Sequence, residues 1–104
     1  MDANADHDSI RLLLPELRQH AARGDPAAQL LLGKLLINGL GTERDANEAL
    51  RWFQRAADAG DAMAMNMVGR CHEYGFGTAV DHVKAAHWYH RAAAYDCDWG
   101  TSIS

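Results

Sequence analysis

The groups in this chain best suited to chemistry are its histidines and its two cysteines, and both cysteines lie in the second half of the 104 residues. His82, His87 and His90 sit close enough in sequence to raise the question of zinc, which needs three or four convergent ligands at about 2 Å. On a helix, however, His87 and His90 share a face, whereas His82 lies five residues before His87 and about 140° round the axis. Asp81 or Glu73 would have to supply a third ligand, so the histidines read as a solvated pair and no metal site is assigned. Cys71 has His72 beside it, but adjacent helical residues point about 100° apart and form no thiolate pair; Cys71 reads as a buried structural cysteine. Cys97 is flanked by Asp96 and Asp98, whose charges oppose a thiolate. Gly39-Leu40-Gly41 and Gly75-Phe76-Gly77 lack the lysine that follows a phosphate-binding loop. No nucleophile elbow is present, and no Ser, His and Asp set has an informative spacing. These readings assign no catalytic residue and no cofactor, and the chain is expected not to be an enzyme.

The elements that carry these residues repeat. The segment from Gly24 to Ala59 recurs from Gly60 to Tyr95, a step of 36 residues. Gly33 pairs with Gly69, Gly39 with Gly75, Gly41 with Gly77, Asp45 with Asp81, Trp52-Phe53 with Trp88-Tyr89, and Arg55-Ala56-Ala57 with Arg91-Ala92-Ala93. Matches on glycines, caps and packing residues mean that a structural unit recurs, and a period of this length indicates a solenoid. Asp25-Pro26 starts a helix over 26–38, stopped by Gly39. Asp45 with Glu48 has the spacing of a capping box and predicts a second helix over 46–59. Asp61 and Asp81 predict the same pair over 62–74 and 82–95. Residues 9–23 fit the same register as a lone second helix, with Ser9 at the cap position. Ile10, Leu13, Leu14, Leu17 and Ala21 are its expected buried stripe, and Pro15 is expected to kink it or open its first turn. The expected organisation is a disordered 1–8, a half-repeat or capping helix over 9–23, repeats over 24–59 and 60–95, and a truncated third repeat or tail over 96–104.

Composition narrows the function. A formal charge of −4 and the absence of a Lys/Arg cluster argue against nucleic acid. The acidic amino terminus is unlike a secretory signal, and no apolar stretch is long enough for a membrane span. The unmatched cysteine positions are unlike a disulfide framework, so a cytoplasmic setting is expected.

Leu32-Gly33 and Val68-Gly69, the Gly-x-Gly turns, the aspartate caps and the Trp-aromatic-x-x-Ala-Ala runs together resemble Sel1-like repeats (SLR), relatives of the tetratricopeptide repeat. Leu36 and His72 stand where a tyrosine is usual, and Asp96 where a closing glycine is usual. The resemblance implies an all-α solenoid of antiparallel helix pairs in a right-handed superhelix, acting as an adaptor that binds a protein or peptide. Some cysteine-rich relatives are associated with β-lactam hydrolysis, but their paired cysteines are absent here. That hydrolase, a thiol-dependent enzyme, and a fragment that self-associates through an open C-terminal end are the alternatives.

In such a superhelix the first helix of each pair lines the concave wall. Beside the buried stripe, that places Leu30, Lys34 and Ile37 from one repeat and Met63, Asn66, Arg70 and Glu73 from the next as the expected partner-binding residues. Lys34 and Arg70 occupy equivalent positions and suit an acidic or carboxylate-bearing peptide, with Leu30, Ile37 and Met63 against its apolar side. Trp52-Phe53 and Trp88-Tyr89 are expected in the core.

Overall fold

The computed structural model describes the backbone of residues 3–101 and the side chains of residues 9–95. Five helices follow one another: α1 (Ala3–Ala22), α2 (Pro26–Asn38), α3 (Ala46–Asp58), α4 (Ala62–Tyr74) and α5 (His82–Thr101), with no strand among the described residues. Each packs chiefly against its neighbours in sequence, which makes the chain an all-α helical repeat solenoid.

Short polar caps set where each helix starts. The carboxylates of Asp25, Asp45, Asp61 and Asp81 accept from the backbone amides of Ala27, Glu48, Ala64 and Lys84 at 3.0–3.1 Å. Each relieves an amide that the first helical turn leaves without a partner. The expected capping box is only half made. The Asp45 amide donates to the Leu36 carbonyl at 2.9 Å, and the Glu48 carboxylate takes Arg18 and Trp52 instead. Helices α2 and α4 stop at Gly39 and Gly75, whose φ of 67° and 76° is left-handed.

The repeat also fixes how successive units approach. A Cβ at Gly41 would collide with Ile10 Cγ2, and one at Gly77 with the Ala46 carbonyl oxygen. Ile10 and Ala46 are themselves 36 residues apart, so α1 occupies the place of a second helix of a pair. Arg18 on α1 reaches Glu48 on α3 at 2.7 Å, and the Trp52 indole donates to the same carboxylate at 3.0 Å. That bridge holds the Glu48 carboxyl below the usual carboxylate range, with the Arg18 hydrogen bond the largest cause.

The core runs along the stack through Leu14, Ala21, Leu32, Leu36, Phe53, Ala56, Met65, Val68 and Cys71. Gly33 and Gly69 lie inside helices because an aromatic ring from the next helix occupies the space a side chain would need. A Cβ at Gly33 would stand 2.6 Å from Phe53, and one at Gly69 would stand 2.9 Å from Tyr89. The paired aromatics therefore divide their work. Phe53 is fully buried, whereas Trp52 and Trp88 pack against the core from its edge and carry Arg55 and Arg91 over their rings at 4.9 and 4.8 Å.

The expectations for α1 need correction. Helix α1 begins at Ala3, inside the stretch expected to be disordered, and runs through Pro15. Alanines at 3 and 5 favour helix, and Pro15 is exposed, so water can serve the carbonyl whose amide partner proline removes. Within its expected stripe, Leu14 and Ala21 are buried and Ile10 and Leu17 half-buried, but Leu13 is 61% exposed. Helix α5 continues to Thr101, and Asp96 stands where glycine makes the left-handed turn at 24 and 60 (φ 99° and 98°).

Candidate functional site

Two helices of equivalent position, α2 and α4, stand side by side with a groove of about 700 Å³ between them, floored in part by α5. Lys34 and Asn38 line it from α2; Met63, Asn66, Met67, Arg70, Glu73 and Tyr74 line it from α4; Tyr89 closes it from α5. The register of the repeat sets this arrangement. Lys34 and Arg70 are one repeat apart, as are Asn38 and Tyr74, so the same helical stripe is presented twice.

Five of the seven residues read from the sequence as partner-binding, Lys34, Met63, Asn66, Arg70 and Glu73, line this one groove. Leu30 and Ile37 are half-buried against the core instead. Ile37 also borders an adjoining cavity of about 390 Å³ with Arg44 and Phe76, which shares Asn38, Met67 and Arg70 with the groove. Asn38, Met67, Tyr74 and Tyr89 escaped the sequence reading. Extending the stripe by one more turn from Lys34 and Arg70 finds Asn38 and Tyr74; Tyr89 had been read only as core.

The groove's charges are unequal in their availability. The Tyr89 hydroxyl donates to the Glu73 carboxylate at 2.6 Å, and burial, followed by that bond, pushes the phenol up to about 12. The phenol thus remains a donor across the physiological range, and Glu73 is engaged within the protein. Asn38 Nδ2 donates to the Lys34 carbonyl at 2.9 Å, which directs its amide oxygen elsewhere. Lys34 and Arg70 supply the positive charge, and Met63 and Met67 supply adaptable apolar surface beside it.

The other candidate groups are placed as follows. His82, His87 and His90 are exposed along α5, and among the described residues no three His, Cys, Asp or Glu side chains converge as a metal-binding group. Cys71 is fully buried and burial pushes its thiol up to about 11, so it is a thiol and not a thiolate at neutral pH. His72 is buried beside it in the sequence, at the position of Leu36. Cys97 lies outside the residues whose side chains are described. Gln29 is a buried polar group that the sequence reading missed; its Nε2 donates to the Ala21 carbonyl at the end of α1 at 3.0 Å. No described helix is long and apolar enough to cross a membrane.

The paired helices, left-handed glycine stops and glycine-aromatic contacts define a helical-hairpin repeat protein. The Sel1 repeat model matches residues 26–61 and 62–94, and the chain belongs to that family. Its fold is similar to the crystal structure of a Sel1 repeat protein from Oxalobacter formigenes, at 36% identity and a TM-score of 0.78 over 84% of this chain and 36% of that one. It is also similar to c5321, a protective antigen of uropathogenic Escherichia coli strains displaying an SLR fold, at 30% identity and a TM-score of 0.81 over 88% of this chain and 22% of that one. The chain therefore spans about a third of the first protein and about a fifth of the second. Comparison with curated proteins gives no match. Sel1 repeat proteins generally serve as protein-interaction scaffolds and are typically non-catalytic.

Proposed function

We propose that this chain is a non-catalytic adaptor that holds an extended, acidic polypeptide segment in the groove between α2 and α4. The observation that carries this reading is the convergence of Lys34 and Arg70 in one groove with Met63 and Met67. Repeated cations with apolar surface in the same groove match a segment that alternates carboxylates with apolar side chains. The neutral Tyr89 donor leaves the Glu73 charge in place, so the groove sets two cations against one carboxylate. The chain as a whole is negative, at −4, so attraction of an acidic segment depends on these local charges and weakens with salt. A reducing, cytoplasmic setting suits Cys71 as a free, buried thiol.

A labelled library of ten-residue peptides, varied in charge and apolarity, tests this by fluorescence anisotropy. Acid-rich apolar peptides are expected to bind, to weaken as salt rises, and to be lost on Lys34→Glu with Arg70→Glu while the helical circular dichroism is unchanged. Preference for basic peptides, or binding indifferent to the double reversal, would sink the proposal.

A further inference from the structure

A second groove, of about 500 Å³, opens at the opposite end of the stack between α1 and α2, and its lining is almost wholly apolar. Ile10, Leu13, Glu16, Leu17 and His20 line it from α1, and Leu31 and Leu35 from α2. The internal repeat shows what such a surface meets. Shifting the α1 residues by one repeat gives Ala49, Phe53 and Ala56, fully buried, and Ala46 and Trp52, half-buried. Phe53 is covered there by α2, with its ring against Gly33. Shifting Leu35 gives Cys71, also fully buried, and shifting Leu31 gives Met67, which packs against the core. Leu13 and Leu31, by contrast, are 61% and 48% exposed.

The groove is thus the counterpart, one repeat earlier, of the seat that α2 fills against α3. We propose that it is a docking site for an amphipathic helix with the pattern of α2: apolar residues spaced three and four apart on one face, and a small residue facing Leu17 as Gly33 faces Phe53. The inference is separate from the groove between α2 and α4, and it concerns a helix instead of an extended segment. The interface it describes continues the one already present along the solenoid, in which each helix pair buries its apolar face against the next. Leu17 is smaller than the Phe53 it replaces, so the site accepts a small side chain such as alanine where α2 requires glycine.

The probe is a fluorescently labelled peptide with the sequence of Asp25–Gly39, added to the intact chain and followed by anisotropy. The expected result is saturable binding that weakens at least about tenfold on Leu13→Asp with Leu31→Asp. Because both leucines are exposed, that variant should keep its helical circular dichroism and its unfolding midpoint, which are measured alongside. A peptide with Leu32→Asp and Leu36→Asp, altered on the face that α2 buries, should not bind. Absence of binding to the unaltered chain, or equal binding to the Leu13→Asp and Leu31→Asp variant, overturns the proposal. A concentration-dependent dimer in light scattering, lost in that variant, would overturn it in favour of a second copy as the occupant.

Discussion

Replacing Gly33 with alanine sets two known effects against each other. Alanine favours a helix interior over glycine by about 0.5–1 kcal/mol. Against that, the new Cβ would stand 2.6, 2.7 and 3.0 Å from Cε1, Cδ1 and Cζ of Phe53, and Phe53 is fully buried. Three ring atoms inside contact distance in a packed core place the overpacking penalty in the upper part of its usual range of about 1–3 kcal/mol. The expected net loss is therefore about 1.5–2 kcal/mol, or about 10 °C in Tm for a domain of this size. Gly69→Ala meets Tyr89 at 2.9, 2.9 and 3.2 Å, and that ring is half-buried and has room to move, so its net effect should stay within about 1 kcal/mol. Urea unfolding of both variants, and of Gly33→Ala combined with Phe53→Leu, tests the cause. Removing the ring should recover about 1–2 kcal/mol of the Gly33→Ala loss as a coupling energy. If Gly33→Ala is as stable as the parent, or less harmful than Gly69→Ala, the glycine-aromatic contact is not what sets the spacing of the helices.

Phe53→Ala should cost about 3–5 kcal/mol in urea unfolding, and Trp52→Ala clearly less, because the first empties the centre of the core and the second its edge. Asp61→Ala removes the bond to the Ala64 amide and should cost about 1 kcal/mol, read from the same titration. The Glu48 carboxyl has a lowered folded-state pKa, so the stability it contributes is complete above the ordinary carboxylate range and is lost as pH falls through that lowered value; Trp52 fluorescence should report the loss, and Arg18→Ala should shrink the pH step. In a Cys97→Ser background, Cys71 should react with a thiol reagent only as fast as the fold opens, with labelling accelerated by urea; rapid labelling at neutral pH would contradict its burial.

The amino-acid sequence by itself determined α2, α3 and α4, their caps and the order of the five helices, since aspartate caps, left-handed glycines and a 36-residue step act over a few residues each. It also placed Lys34, Met63, Asn66, Arg70 and Glu73 on one side of their helices, because helical spacing fixes direction round the axis. Only the tertiary structure decided which member of each aromatic pair is central, that Tyr89 engages Glu73, that Leu30 and Ile37 turn to the core, and that Leu13 stands exposed. Spacing along one helix specifies a direction round its axis, but whether another helix lies in that direction depends on how the hairpins stack. The apolar groove between α1 and α2 exists for the same reason: its residues follow the buried pattern of the repeat, while the element that covers their counterparts is α2 itself.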